Sequence, residues 1–180
     1  MSPSNWEVVA DYMFEDHGNV LFENDQTVLM GGDPATGIRF RGDFPTDFYE
    51  VSFDAKRVNG NDFFCGMTLP VGDEYCTLIL GGWSGTIVGL SNVDGEPAVE
   101  NLTATTIDFV NGRWYRVRID VSSVIRVWVD GRQVIELERA GHQFSLWWEQ
   151  EEMAPFGIAT WGATTAAIRD LQTKAGSKPP

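Results

Sequence analysis

Histidine and cysteine are nearly absent from this 180-residue chain, two of each, and its 13 Lys and Arg are outnumbered two to one by 26 Asp and Glu. Each shortage excludes a class of chemistry. His17 and His142 stand far apart, and no Cys-His spacing approaches that of a zinc site. A formal net charge of −13, with no basic cluster to interrupt it, repels both a phosphate backbone and anionic lipid. Nucleic acid and membrane surfaces are therefore not expected as partners. No run of about 18 apolar residues is present to cross a bilayer as a helix, and MSPSNWEVVADY lacks the charged and apolar regions of a signal peptide. The chain as given reads as soluble; an extracellular or periplasmic location, with any leader removed, is the expectation. A P-loop and a G-x-S-x-G elbow before a helix are also missing. Gly81-Gly82-Trp83-Ser84-Gly85 lies between strand patterns, where no helix N-terminus is available to hold an anion.

Helical periodicity is scarce as well. Apolar residues recur mostly with period 2, and turn signals return about every 8–12 residues, the spacing of a sandwich or barrel. In 48–56, Phe48, Glu50, Ser52, Asp54 and Lys56 alternate with Tyr49, Val51, Phe53 and Ala55, as a half-buried strand requires. Asn59-Gly60 reads as a tight hairpin, the next run stops at Pro70, and Val71-Gly72-Asp73-Glu74 turns the chain again. The stretch 47–92 thus reads as a β meander ending in a displayed Trp83. Further candidate strands are 20–23, 27–30, 37–41, 86–90, 103–109, 113–121, 125–129, 133–137, 143–148, 157–161 and 166–173, about fourteen in all, with Asp130-Gly131 as a second hairpin turn. A hydrophobic content of 43% supports a sizeable core, and so many strands must pair their apolar faces across two layers. The expected fold is all-β, a two-sheet antiparallel β-sandwich of jelly-roll type occupying 1–173, with 174–180 (KAGSKPP) as a flexible tail or linker stub. Cys65 and Cys76 lie almost symmetrically about the turn at 70–73, so they are expected nearly opposite each other on one face. A cross-strand disulfide and two buried thiols both remain open.

Two late segments carry a family resemblance. GRWYRVRIDVSSVIRVWVDGRQVIEL (112–137) followed by PFGIATWGATTAAIRDLQ (155–172) resembles the concanavalin A-like lectin and glucanase superfamily. Within it, the chain is most similar to the domains named for 3-keto-disaccharide hydrolysis and to laminin-G-like modules, over roughly 48–172. The resemblance implies a concanavalin A-like jelly roll that faces carbohydrate.

The residues point the same way. Seven Trp and four Tyr supply rings on which the apolar C–H faces of sugars stack, while acidic and amide groups bond the hydroxyls. Trp83 is the first candidate, because its flanking glycines leave it little to pack against. Trp147 and Trp148 are adjacent, so as strand residues they would face opposite ways and only one could be core. Trp161 lies near a strand end. Trp114 and Trp128 sit in strong strand patterns and read as core. Burial competes with display at every one of these positions.

For an enzyme, Glu149 and Glu151 are the sharpest catalytic pair, since i and i+2 share one strand face; the run into Met153-Ala154-Pro155 argues instead for a solvated turn. Glu50 with Asp54 could face a cleft in the same way, and Glu50 is also a candidate sugar contact. No cofactor is required. A structural calcium could be held by Asp170 with Glu23, Asp25 or Asp33. Asn101-Leu102-Thr103 matches a glycosylation sequon. The expected partner is an oligo- or polysaccharide, and the expected function is a lectin-like or polysaccharide-binding domain. The alternative is a glycoside hydrolase or lyase with paired carboxylates, and adhesion of laminin-G type stands third.

Overall fold

The computed structural model of the protein describes residues 3–176. Fourteen strands are present among them: β1 (Trp6–Val8), β2 (Val20–Phe22), β3 (Thr27–Leu29), β4 (Ala35–Phe40), β5 (Tyr49–Asn59), β6 (Cys65–Val71), β7 (Glu74–Gly81), β8 (Ile87–Ser91), β9 (Thr105–Thr106), β10 (Tyr115–Val121), β11 (Val124–Val129), β12 (Arg132–Glu138), β13 (Gly157–Trp161) and β14 (Thr165–Ala175). They form two seven-stranded sheets. The first has the order β1-β4-β13-β6-β7-β8-β9 and the second β12-β11-β10-β5-β14-β3-β2. The fold is the expected all-β, two-sheet antiparallel sandwich.

Alternation builds the core. On β10, Tyr115, Val117, Ile119 and Val121 are buried between the sheets while Arg116 and Arg118 point outward. On β5 the same role falls to Tyr49, Val51, Phe53 and Ala55, facing Cys65, Met67, Leu69 and Val71 of β6 in the opposite sheet. Full burial of each such large side chain contributes roughly 1.5–3 kcal/mol. Trp6 is the one tryptophan inside this core, packed against Phe40 and Phe156 at ring separations of 5.4 and 5.6 Å. Its strand, β1, has no counterpart among the sequence-derived strands, because three residues are too few to show a period.

Several local expectations give way to tertiary pairing. Asn59-Gly60 is not a hairpin: β5 pairs with β10 and β14, and the turn carries the chain across to β6 in the other sheet. Only β6, β7 and β8 form the meander. Pro70 does not end β6, since β13 pairs only with Gly66, Met67 and Thr68, leaving Pro70 beyond the doubly paired stretch. The β6–β7 register pairs Cys65 with Leu80 and Cys76 with Leu69. The two cysteines are therefore four rungs apart, about 13 Å along the strands at 3.3 Å per residue, well beyond disulfide reach. Both are free, buried thiols, and burial raises both, Cys76 to about 12. The disulfide alternative is excluded.

The stretch 143–148 is not a strand. It makes one bridge, Val93 to Phe144, beside a segment that has already left the sheet, and then enters a short 3-10 turn, Trp148–Met153. Trp114 and Trp128 are not core residues either. Each lies half-buried on the outer face of the second sheet beneath cations: Lys56 and Arg169 stand 4.4 and 4.2 Å from the Trp114 ring, and Arg118 3.6 Å from that of Trp128. At the C-terminal end, β14 runs through Lys174 and Ala175, paired with Glu50 and Tyr49. The remainder of the expected tail, 177–180, lies outside the described residues.

One half of the first sheet's outer face is covered. A Cβ on Gly37 would come within 2.7 Å of Phe14 and 2.8 Å of Met153, so the absence of a side chain lets these two buried residues close down on the sheet. The other half, over β7 and β8, is left open.

Candidate functional site

The open half is a cleft of about 360 Å³. Thr77 and Ile79 of β7 and Ser91 of β8 line it from the sheet, and four walls built from five further chain segments complete it.

The first is the turn carrying Trp83. Four of its residues adopt the left-handed backbone region: Gly81 (φ 79°), Trp83 (47°), Ser84 (71°) and Gly85 (95°). Two glycines make such a turn accessible, but Trp83 and Ser84 are each strained by about 1–3 kcal/mol. Arg57, only 6% exposed, opposes that strain from below. Its guanidinium donates to the carbonyls of Gly85 (3.0 Å) and Phe109 (2.8 Å) and to Asn111 Oδ1 (2.6 Å). A Cβ on Gly85 would stand 2.6 Å from Arg57 Nη1, so the contact requires glycine. Trp83 itself is 42% exposed and lines the cleft.

Phe63 and Trp161, from two different segments, form the second wall, their rings 5.9 Å apart and tilted by 31°. The third is the loop after β8, which contributes Pro97, Val99 and Glu100. Asn101 organises it. Its Nδ2 donates to the carbonyls of Leu90 (2.7 Å), Glu96 (3.0 Å) and Pro97 (2.9 Å), and its Oδ1 accepts from the N–H and hydroxyl of Thr103 (2.9 and 2.6 Å). The amide of the sequon is thus turned inward and fully engaged. The fourth wall presents Trp147, Glu149 and Gln150 at the start of the 3-10 turn.

Three carboxyl groups line the cleft: Asp62, Glu100 and Glu149. Burial raises the Asp62 pKa, against the pull of the Phe63 and Trp83 backbone N–H groups and of Arg57. Burial raises Glu149 as well. Because the folded protein holds these two protons to higher pH than the unfolded chain, their contribution to stability is full below the unfolded pKa values. It declines as pH rises towards the folded ones.

The cleft therefore brings together Trp83, Trp147, Trp161 and Glu149 from the sequence candidates. Glu151 does not join them: in a 3-10 turn of three residues per turn, i and i+2 point to different sides, and Glu151 is exposed. Glu50 is on the outer face of the other sheet, 3.2 Å from Arg118, and Asp54 is there too, bonded by Arg116 (3.1 Å) and Arg169 (3.2 Å). That face has its own polar groove, of about 300 Å³, lined by Glu50, Arg116, Arg118, Trp128 and Lys174 among others. Among the described residues no three His, Cys, Asp or Glu side chains are grouped to hold a metal ion. Of the calcium candidates, Glu23 accepts from Gln26 (2.7 Å), while Asp170 sits on a bulge in β14, 3.7 Å from Arg169. Asp62, Glu100, Gln150, Arg57 and Asn101 are additions from the structure. Asp62 follows the Asn59-Gly60 turn signal and reads only as a turn former, Asn101 was marked only as a sequon, and the other three had no local signal of a place in the cleft.

Solved structures share this architecture. A carbohydrate-binding module from Bacillus subtilis, CBM66, superposes with a TM-score of 0.58 at 14% identity, covering 95% of this chain and 96% of that one. Domain 4 of AbnA, an extracellular arabinanase of Geobacillus stearothermophilus solved with arabinotriose, gives 0.60 at 16%, covering 97% and 84%. A Bacillus subtilis protein of unknown function with a galectin-like fold gives 0.65 at 11%, covering 98% and 91%. A comparison of the sequence with curated proteins returned no match. The sequence model of one domain family extends over residues 3–174, nearly the whole sandwich and every wall of the cleft, and on that match the chain belongs to the 3-keto-alpha-glucoside-1,2-lyase-like domain family.

Proposed function

We propose that the cleft binds an oligo- or polysaccharide, with Trp83, Trp147 and Trp161 as stacking platforms and Asp62, Glu100, Glu149 and Gln150 as partners for sugar hydroxyls. The observation that carries this reading is that three tryptophans from three separate segments line one cleft, two of them more than a third exposed, beside carboxyl and amide groups. Exposed rings with polar neighbours suit a ligand that is apolar on its ring faces and polar at its edges. The saccharide chemistry of the structural neighbours supports the same ligand class. Affinity electrophoresis on arabinan, fructan and glucan gels is the test. Wild type is expected to be retarded on at least one. Trp83→Ala and Trp161→Ala should each weaken retention about fivefold or more, since one stacked ring contributes on the order of 1 kcal/mol or more. Equal retention of wild type and both variants would sink the assignment of the platforms.

A second reading is favoured by the two cleft carboxyl groups held towards their protonated forms and by the name of the family. A ketone at C3 of a glucoside acidifies the C2 hydrogen. A carboxylate that removes this proton, with a carboxylic acid protonating the glycosidic oxygen, breaks C2–H and C1–O and forms a C1–C2 double bond. Asp62 and Glu149 are the pair for these roles. Release of nitrophenol from a nitrophenyl 3-keto-α-glucoside is expected to fall about 100-fold or more in Glu149→Gln and in Asp62→Asn. Turnover unchanged in both variants would remove them from the reaction.

A further inference from the structure

Gln150 carries an unexplained polar group. The residue is 5% exposed and lines the cleft, yet its side-chain oxygen is buried without a hydrogen-bond partner. Only one other buried side-chain polar atom among the described residues is in this state, the hydroxyl of Thr160, and Thr160 does not line the cleft. Gln150 is held firmly in place. Its backbone N–H donates to the Trp147 carbonyl at 2.8 Å, and the turn is anchored by Met153, fully buried against Gly37 and Gly157. Leaving an amide oxygen unpaired and out of water costs folding free energy that a suitable partner recovers. A residue that tolerates this cost in a cleft wall is poised for a partner that arrives with the ligand.

We propose that Gln150 is the specificity-determining residue of the cleft, accepting a hydrogen bond from one hydroxyl of the bound sugar. A sugar hydroxyl supplies the missing partner when the side chain turns its amide oxygen into the cleft that the residue lines. The site then selects a sugar that presents a hydroxyl at this point over the same sugar lacking it, because the deoxy compound leaves the acceptor unpaired. This inference rests on the saccharide-binding reading above and adds to it the group that reads one ring position.

The experiment is isothermal titration of the full chain with arabinotriose and with gluco- and fructo-trisaccharides, followed by the monodeoxy analogues of whichever binds. Wild type is expected to bind one monodeoxy analogue about tenfold or more weakly than its parent. Gln150→Met, which keeps the volume and removes the unpaired oxygen, is expected to bind the parent about tenfold more weakly and to lose the distinction between the two sugars. Its thermal midpoint should be unchanged or raised. Wild type that binds a parent sugar but discriminates against none of its monodeoxy analogues overturns the role of Gln150 while leaving saccharide binding intact, whatever the variant does. Retained discrimination in Gln150→Met overturns it equally. Wild type that binds no sugar of the panel overturns the saccharide reading itself, and this inference with it.

Discussion

Arg57→Met is expected to destabilise the protein by about 3 kcal/mol or more and to abolish saccharide retention. The guanidinium makes three hydrogen bonds, to two backbone carbonyls and one side-chain oxygen, around a residue that is only 6% exposed. Methionine keeps the aliphatic stem and supplies no donor, so three acceptors lose their partner at roughly 1–3 kcal/mol for each that stays dry. Part of this is offset, because burial already disfavours the charge and pulls the Arg57 pKa down. The functional loss has a separate cause. The turn holding Trp83 carries two strained non-glycine residues, and loss of the Gly85 contact leaves only the Trp83 N–H bond to Asp62 and the Gly82 pairings to oppose relaxation of the strain. Lysine is not expected to rescue either property, since a single ammonium cannot reach three acceptors laid out for a planar fork. For a domain of this size the thermal midpoint should fall by roughly 6–12 °C. A midpoint within two or three degrees of wild type would show that the three bonds are dispensable.

The Asn101→Ala variant should lose a comparable amount, about 3 kcal/mol. Five hydrogen bonds converge on this side chain, three given and two received, in a loop that has no strand ladder of its own. Truncation leaves the Leu90 carbonyl and both Thr103 donors unpaired together in a place that is almost dry, while the Glu96 and Pro97 carbonyls keep only their backbone N–H partners. Asn101→Asp separates the two halves of the effect. It keeps the acceptor for Thr103 but sets a carboxylate against three carbonyls, and it should destabilise the protein at least as much. Both variants would also loosen the wall formed by Pro97, Val99 and Glu100, so saccharide affinity should fall with stability. In a secretory eukaryotic host the folded protein is expected to carry no glycan on Asn101, because its amide nitrogen is already committed. Intact mass reads this directly. Retention of the full midpoint by Asn101→Ala would contradict the role of the side chain as the organiser of the loop.

Arg57 and Asn101 show why a site of this kind is only half visible in a sequence. Trp83 stood out because GGWSG leaves a large ring without local neighbours, and Trp161 because it lies where a strand pattern stops. Those are local facts. The groups that hold the walls in place are unremarkable locally: Arg57 falls in the polar end of an alternating strand, and Asn101 in a sequon. Asp62 read as a turn former, and Gln150 as one polar residue in an acidic run. Pairing of Glu149 with Glu151 failed because it assumed strand geometry, whereas a 3-10 turn separates i from i+2.

Local chemistry was sufficient for the layers. Period-2 alternation in 48–56 and 113–121 reports which side chains must leave water, and two apolar sheet faces have few ways to be covered other than by each other. Asp130-Gly131 likewise determined its own hairpin, since both residues adopt positive φ and β11 pairs with β12 directly across it. Asn59-Gly60 has the same preferences and a different outcome, because a turn sets where the chain bends and not which strand lies beyond it. That choice is made by β10 and β14, which come from far along the chain and take both edges of β5. The same long-range competition set the register that separates Cys65 from Cys76, turned Trp114 and Trp128 outward under cations, and left half of one sheet uncovered as a cleft. The sequence by itself determined the all-β sandwich, because burial and turn preferences act within a few residues. The partners of β5, and so the place where Trp83, Trp147 and Trp161 meet, were decided only by packing between strands far apart in the chain.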